Sequence, residues 1–160
     1  MKTPDFVVLA PASVWFTKQL PPHKWVELIN QLANDFSVYL IGAPADRSFI
    51  ETIITDSKAK NCYNTAGDLS LIESAALIAM ATRTYVNDSA PLHIASAVNA
   101  PVTAFFCSTV PSFGFGPLSD DSIIKQVEKP LSCRPCGLHG FKKCPKNHFD
   151  CGNKIELPTI

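Results

Sequence analysis

Short apolar runs alternate with amphipathic segments along most of the chain, and this alternation restricts the folds open to it. The first apolar run, "DFVVLAP" at residues 5–11, ends in a proline and is followed by "PPHKWVELINQLAND" at residues 21–35. Apolar residues three and four apart in the second segment share one helical face, and its early proline suits a first turn. These apolar residues are Trp25, Leu28, Ile29 and Leu32. The two segments predict a strand followed by a helix.

The same pattern is repeated further along the sequence. The predicted strands are "SVYLIGAP", the weaker "NCYNTAG", "TYVN" and "APVTAFFC", with "SIIKQVEK" as a candidate last strand. The predicted helices are "DRSFIETIITDS", "SLIESAALIAMA", which Ser70 and Glu73 open in capping-box spacing, and a segment from about Ala90. Strands that alternate with helices predict right-handed βαβ units and a parallel sheet covered on both faces, which is an α/β fold.

Length, charge and hydropathy narrow the class of protein. A chain of 160 residues is the size of one ordinary domain with its own core. Its 14 Lys and Arg balance its 14 Asp and Glu, so nucleic acid is not an expected partner. The apolar runs are shorter than the roughly 18 residues that predict a transmembrane segment, and the first residues lack the charged start followed by an apolar core that is typical of a signal peptide. We expect a cytoplasmic protein with a Rossmann-like domain at 1–130 and a Cys-rich tail at 131–160.

Ligands of open parallel sheets bind beyond the carboxyl ends of the strands, where the loops gather. The first such loop, "APASVWFTKQLPP", offers Ser13, Thr17 and Lys18 between the first strand and its helix. A hydroxyl and an ammonium at this position are suited to holding a phosphate. The alternative is an ordinary solvated lysine beside helix-capping residues.

The second and third loops offer weaker signals. In "GAPAD", Gly42 lets the chain turn and Asp46 is placed to accept a hydrogen bond from a ribose hydroxyl, although an Asp before a helix is often only an N-cap. The loop "NTAGDLS" either passes its backbone near a base or is an ordinary connection.

The fourth loop lies in "TRTYVNDSAPLHIASA", at residues 82–97. A β-branched run ends there in Asn87, Asp88 and Ser89, and a proline and small residues at helical spacing follow. A helix N-terminus at the end of a strand attracts anions, although the same residues also serve as a plain helix cap, with His93 packed beneath the loop. In a parallel sheet this loop should lie beside the loop of Lys18, and such convergence favours a phosphate site.

Several familiar nucleotide and hydrolase signatures are missing from the sequence. It contains no G-x-G-x-x-G after the first strand, no G-x-x-x-x-G-K-[ST] and no G-x-S-x-G. Dinucleotide oxidoreductases, P-loop hydrolases and α/β-hydrolases are therefore disfavoured. The remaining interpretation is phosphate binding without those loops.

The order of "FVVLAPASVWFTKQLPPHKWVELI", "YLIGAPAD" and "NTAGDLSLIESAALIAMATRTYVNDSAPLHIASAVNAPVTAFFCST" resembles a known family. These segments are similar to the C-terminal, donor-binding half of glycosyltransferase family 9, the heptosyltransferases of lipopolysaccharide assembly. The resemblance covers residues 5 to about 118. Its most specific parts are T-K-x-[WL]-P at residues 17–21 and N-D-S-[GA]-x-x-H at residues 87–93.

The resemblance implies roles for individual residues of this chain. In that family, the residues matching Lys18 and Ser13 contact the donor diphosphate, so Lys18 is expected to stabilise the leaving group. The acid matching Asp46 contacts the ribose, and the backbone near Leu69 lies by the base. The turn at Asp88, with the residues behind it, is expected to bind phosphate and sugar. The complete expected donor site is Ser13, Thr17, Lys18, Asp46, Leu69, Asp88, Ser89, Ala90 and His93.

The chain departs from the family pattern in two ways. Many members have glycine in place of Ala90, and the extra methyl group narrows the approach to the phosphates. Family members also carry an N-terminal domain of similar size, which holds the acceptor site and the general base. This chain alone is therefore expected to bind donor without transferring it.

The resemblance also implies the reaction and the partners. It implies one half of an inverting GT-B enzyme of lipopolysaccharide or surface-glycan synthesis. The implied donor is a nucleotide-sugar of the ADP-heptose type, and the implied transfer needs no metal or other cofactor. The acceptor would be lipid-linked or a lipopolysaccharide core, met through the other domain. The expected location is the cytoplasm, free or peripheral at the inner face of the inner membrane. The alternative is a non-enzymatic nucleotide- or phosphate-binding module with a metal-binding tail.

Four of the six cysteines are crowded into "CRPCGLHGFKKCPKNHFDC". Two cysteine pairs within about twenty residues are suited to a tetrahedral structural zinc, although the spacing is not that of a standard finger. One or two disulfides and free thiols are the alternatives. The candidate ligands are Cys133, Cys136, Cys144 and Cys151. Cys62 and Cys107, outside the tail, are predicted to be small buried hydrophobes.

Overall fold

The structure is a computed structural model that describes residues 5–160, so the first four residues of the predicted 1–130 domain lie outside it. Within the described range there are six strands, β1 (Phe6–Ala10), β2 (Ser37–Leu40), β3 (Cys62–Asn64), β4 (Arg83–Asn87), β5 (Val102–Phe106) and β6 (Ser122–Gln126). They form one sheet in the order β3-β2-β1-β4-β5-β6, with every pair parallel. The predicted parallel α/β sheet is confirmed.

Helices connect the first five strands, as the sequence pattern predicts. Pro22 opens the first helix, and Ser70 accepts a hydrogen bond from the backbone N–H of Glu73 at the start of the third. The helices are α1 (Pro22–Leu32), α2 (Arg47–Ser57), α3 (Leu71–Met80), α4 (Ala90–Ala97) and α5 (Asp150–Asn153). Short 3-10 turns at Phe16–Lys18, Pro44–Asp46 and Pro111–Phe113 follow the ends of β1, β2 and β5.

The core lies in two layers, one on each face of the sheet. On one face, Trp25 of α1 and Ile50 of α2 belong to one buried cluster, and the Trp25 ring packs edge-on against Phe105 with centroids 5.4 Å apart. On the other face, Ile78 of α3 and Leu92 of α4 belong to a second cluster. Both faces are therefore covered, and the carboxyl edge of the sheet is left for the loops.

The Cys-rich tail packs against the α1 side of the sheet. Phe149, Cys151 and Ile155 are buried members of the same cluster as Trp25. Cys107 is fully buried, as predicted, whereas Cys62 on the edge strand β3 is only half-buried because no further strand covers it. None of the helices within residues 5–160 is both long and apolar enough to cross a bilayer.

Candidate functional site

The sheet order places a topological switch point between β1 and β4. From β1 the chain continues to β2 and β3 on one side, and from β4 it continues to β5 and β6 on the other. The loops after these two central strands therefore diverge around a crevice, which is where open parallel sheets bind their ligands. One of these loops carries Lys18, and the other is the turn at Asp88.

Lys18 and Asp88 meet in this crevice. The Lys18 Nζ lies 2.7 Å from Asp88 Oδ2, and the side chains are 16% and 6% exposed. The Thr109 hydroxyl, in the loop after β5, donates to the same carboxylate oxygen over 2.7 Å. The ammonium is therefore held in one place on a side chain that stays partly exposed to solvent.

Asn87, the last residue of β4, fixes the loop of Lys18 from below. Its Oδ1 accepts a hydrogen bond from the Leu20 backbone N–H over 2.9 Å, and its Nδ2 donates to the Pro11 carbonyl over 2.8 Å. The side chain is fully buried. Sequence reasoning assigned Asn87 only to the turn, because its partners are more than sixty residues away and no local pattern points to them.

Helix α4 begins directly after Asp88. Ser89 is its N-cap residue and is half-buried, with its hydroxyl donating to the Asn87 carbonyl over 3.3 Å, and Ala90 is exposed at the first helical position. His93 is exposed one turn later, and the centroid of its ring lies 6.3 Å from the centroid of the Phe115 ring. The positive end of the α4 dipole and the Lys18 ammonium thus act on the same part of the carboxyl edge.

The loops after β2 and β3 pack against each other beside the crevice. Asp46 Oδ2 accepts from the Ala43 backbone N–H over 2.8 Å, so this carboxylate caps its own turn. A Cβ on Gly42 would lie 3.1 Å from that oxygen, and the Gly67 N–H donates to the Gly42 carbonyl over 3.0 Å. Leu69 is partly buried against the second core cluster. The structure places Asp46 and Leu69 on adjacent loops of the same edge.

The remaining predicted residues of the first loop face in different directions. Ser13 is half-buried, and its carbonyl accepts from the Gln19 side chain over 2.7 Å. Thr17 is 1% exposed, and its hydroxyl oxygen accepts hydrogen bonds from the Phe141 backbone N–H over 2.7 Å and the Ser108 hydroxyl over 3.0 Å. Lys18 therefore points into the crevice while Thr17 points into the protein.

Arg134, in the tail, is anchored at the carboxyl end of β5. Its guanidinium donates to the carbonyls of Cys107 over 2.6 Å and Thr109 over 2.7 Å, and to the Gln126 side chain over 2.8 Å. Burial lowers the pKa of this guanidinium from its ordinary value, although nearby cysteines oppose the change. Sequence reasoning missed Arg134, since a lone arginine in a cysteine-rich stretch carries no signal of its partners.

The four tail cysteines lie near one another without closing around a single point. Cys133 Sγ is 3.8 Å from His148 Nε2, and the Cys136 thiol donates to the Cys133 carbonyl over 2.9 Å. Burial raises the pKa of the Cys151 thiol to about 12, with Cys136 and Cys144 adding to the rise. Within the described part of the chain, no three His, Cys, Asp or Glu side chains are arranged to hold a metal. The zinc site therefore stays a prediction.

Comparison with known proteins identifies the family. The sequence model of glycosyltransferase family 9 (heptosyltransferase) matches residues 2–140, which is most of the chain. The chain belongs to glycosyltransferase family 9. A family 9 relative, lipooligosaccharide heptosyltransferase 2 of Haemophilus influenzae, is 34% identical over 119 residues, covering 71% of this chain and 34% of its own length. The chain thus spans about a third of the length of this curated relative.

Solved structures agree with the family 9 fold. The structure of E. coli ADP-heptose lipopolysaccharide heptosyltransferase II has a TM-score of 0.72 at 22% identity, covering 96% of this chain and 46% of its own. The iron-containing dodecameric heptosyltransferase TibC of enterotoxigenic E. coli, in complex with ADP-D-beta-D-heptose, has a TM-score of 0.66 at 15% identity. That match covers 97% of this chain and 43% of TibC. At these identities, the comparison supports the fold.

Proposed function

We propose that this chain is the donor-binding half of an inverting glycosyltransferase of lipopolysaccharide or related surface-glycan synthesis. The donor is an ADP-sugar of the heptose type, bound along the carboxyl edge of the sheet. Membership of family 9 favours this function over a non-enzymatic nucleotide-binding module. The heptosyltransferase II structure with the same fold is named for ADP-heptose, which supports the choice of donor.

The observation that carries the proposal is the Lys18 ammonium, held 2.7 Å from Asp88 at the start of α4. The Asp88 carboxylate is largely buried and already accepts from Lys18 and Thr109, so it anchors the cation. The Lys18 ammonium, on a partly exposed side chain, and the positive end of α4 then both act on an incoming diphosphate. Both favour negative charge at this position.

Charge development in the reaction explains why such a site would accelerate transfer. As the acceptor oxygen bonds to the anomeric carbon from the opposite face, the bond from that carbon to the diphosphate oxygen breaks, and its electron pair stays on the diphosphate. The acceptor proton goes to a base on the other domain. Lys18, already in position, stabilises the growing charge on the leaving diphosphate without reorganising. In the proposed enzyme, its removal weakens both donor binding and transfer.

Calorimetric titration of the folded chain with ADP, UDP and GDP tests the proposal. We expect ADP to bind best and Lys18→Ala to weaken that binding by roughly 1.5 to 3 kcal/mol, the range for a charge-assisted hydrogen bond. Lys60→Ala is the matched control, because Lys60 is exposed and precedes β3 at the opposite, amino edge of the sheet. The Lys60→Ala variant should bind ADP as tightly as the wild type does.

Two results contradict this proposal. One is a folded chain that binds none of the three nucleotides, which would show that it has no donor site of its own. The other is equal loss of affinity in Lys18→Ala and Lys60→Ala, which would mean that the lysines act only through net charge. Circular dichroism of each variant shows whether the comparison is between folded proteins.

We further propose that the tail thiols bind one transition metal, zinc or iron. The proposal is supported by the C-x2-C pair at Cys133 and Cys136 and by the fold shared with an iron-containing heptosyltransferase. Elemental analysis of the chain purified without chelator should give about one metal per chain, reduced in Cys133→Ser. A wild-type chain that retains no metal contradicts the proposal.

A further inference from the structure

A turn of the Cys-rich tail lies directly against the loop that carries Lys18. Gly140 has a φ of +82°, and a Cβ there would lie 3.0 Å from Thr17 Oγ1 and 3.3 Å from Lys18 Cγ. Glycine alone combines this backbone with so close an approach at little cost. The tail turn therefore lies close beside the aliphatic stem of the lysine on which the proposed donor site depends, with no room for a side chain between them.

Thr17 joins this turn to the sheet edge through four hydrogen bonds. Besides the two bonds to its hydroxyl oxygen, its backbone N–H donates to the Phe141 carbonyl over 3.1 Å, and its own carbonyl accepts from the Ser108 N–H over 3.1 Å. Thr17, which directly precedes Lys18, is thus held between Phe141 of the tail turn and Ser108. Thr17 makes these contacts facing inward, away from the crevice that holds Lys18 and Asp88.

Contacts made by the tail form a closed cycle that includes Lys18. Arg134 donates to the carbonyl of Thr109, whose hydroxyl donates to Asp88, which pairs with the Lys18 ammonium. From Arg134 the chain continues through the 140–141 turn back to Thr17. The tail segment from Arg134 to Phe141 therefore restrains Lys18 at two points. One end acts on the ammonium through Thr109 and Asp88, and the other end lies beside the stem.

We propose that Thr17, clamped by the 140–141 turn, is a positioning residue for Lys18. This inference rests on the proposed function, and it gives the tail a role in donor binding. A lysine side chain has four rotatable bonds, so fixing its ammonium on an anion costs conformational entropy. A clamp that restricts Lys18 beforehand reduces the entropy lost when the donor binds.

A double-mutant cycle on the whole chain separates positioning from general stability. Thr17→Val removes the hydroxyl acceptor and keeps the shape of the side chain. We expect it to weaken ADP binding by roughly fivefold or more, because residues in contact are energetically coupled. In a Lys18→Ala background the same change should alter ADP affinity by less than about twofold, because the residue it positions is gone. Thr17→Ser keeps the hydroxyl and should restore most of the wild-type affinity.

A second pair of variants tests the turn itself. Gly140→Ala pushes the turn away from Thr17 and Lys18 and should weaken ADP binding as Thr17→Val does. Gly114→Ala is the matched control, because Gly114 also has a positive φ, +93°, but a Cβ there meets no atom within 4 Å. It carries the same backbone cost without the contact, so its affinity for ADP should stay at the wild-type value.

A measurement without nucleotide keeps the inference testable if ADP does not bind. Acetylation of Lys18 by acetic anhydride, followed by mass spectrometry, should be roughly threefold or more faster in Thr17→Val and Gly140→Ala than in the wild type, while Lys60 is unchanged. Unchanged Lys18 labelling in both variants overturns the inference. So does an equal effect of Thr17→Val with and without Lys18, whereas failure of wild-type ADP binding overturns the proposed function alone.

Discussion

At the scale of single residues, the pairing of Lys18 with Asp88 determines the character of the crevice. An aspartate next to a phosphate site would repel the ligand if its charge were free. Here the carboxylate accepts from the Lys18 ammonium and the Thr109 hydroxyl and is nearly enclosed. Its effect is to hold a cation at the start of α4, which is the arrangement that the proposed donor site requires.

Replacing Asp88 tests this pairing. Asp88→Asn keeps the size of the side chain but leaves the Lys18 ammonium without its counter-charge, so we expect the free energy of unfolding to fall by roughly 1 to 3 kcal/mol. Urea unfolding followed by tryptophan fluorescence measures the change. Asp56→Asn, at an exposed position in α2, is the control and should be near neutral. Equal stability of the two variants would show that the pair contributes nothing to the fold.

The burial of Cys62 predicts that the fold loses stability at alkaline pH. Burial raises the pKa of its thiol from 9.0 to about 11. A raised thiol pKa stabilises the folded state fully below pH 9.0, and this contribution is lost as the pH rises through about 11. Because the side chain is only half-buried, we expect the loss to be about 1 kcal/mol after screening by solvent. Urea unfolding of wild type and Cys62→Ala across this pH range should show a steeper decline in the wild type.

Parallel alkaline declines in those two proteins would contradict the assignment to Cys62. The comparison between variants is needed because Cys107 and Tyr85, whose pKa values burial also raises, titrate in the same direction.

At the scale of elements, helix ends place the functional loops. Helix α4 starts immediately after β4, so its positive end lies at the crevice. Helix α3 starts with a capping box in which Ser70 and Glu73 each accept from the other's backbone N–H, over 3.3 and 2.8 Å. This cap fixes where the loop containing Leu69 ends. The start of each helix thereby sets the position of a candidate donor contact.

Removing the α3 cap has a predictable cost and pH dependence. Ser70→Ala should lower the free energy of unfolding by about 1 kcal/mol near neutral pH. The Ser70 side chain, followed by its backbone, lowers the pKa of Glu73 below its ordinary 4.5. A depressed carboxyl pKa stabilises the fold above pH 4.5, and this contribution is lost as the pH falls through the folded pKa. Ser70→Ala should therefore show a shallower acid decline in urea unfolding, and an unchanged slope would contradict this account.

At the scale of the whole molecule, the tail is part of the fold. Phe149, Cys151 and Ile155 lie in the same core as α1, and Arg134 ties the tail to the ends of β5 and β6. Residues near the carboxyl end of the sequence therefore support the loop after the first strand. A defect in the tail should reach the crevice even though no tail residue lies in the predicted donor site.

Arg134→Met tests the anchoring of the tail. The substitution keeps much of the length but leaves the carbonyls of Cys107 and Thr109 without their donor, so we expect roughly 1 to 3 kcal/mol of destabilisation. Trypsin cleavage at the exposed Lys142 and Lys143 should become roughly tenfold faster or more as the tail opens. Arg47→Met, which removes an exposed ion pair with Asp68, is the control and should leave the tail protected. Equal cleavage of both variants would contradict the anchoring role.

The sequence by itself determined the order of strands and helices along the chain and the parallel sheet, and it predicts the candidate site at the carboxyl edge. Apolar periodicity and helix caps are local signals, so a few neighbouring residues are enough to predict a helix. The apolar face around Trp25 predicts the first helix, and the capping box of Ser70 and Glu73 predicts the start of the third. It also placed Lys18 and Asp88 on loops that a parallel sheet must bring together.

Only the tertiary structure decided which side chains meet. The bond between Thr17 and Phe141 spans 124 residues, and that between Ser108 and Thr17 spans 91. Asn87 and Arg134 likewise bind backbone groups far away in sequence. Such partners leave no mark on local periodicity, because a polar residue in a loop has the same pattern whether it faces solvent or a distant carbonyl. Whether Thr17 faces the crevice or the tail therefore depended on how the chain closed over the carboxyl edge.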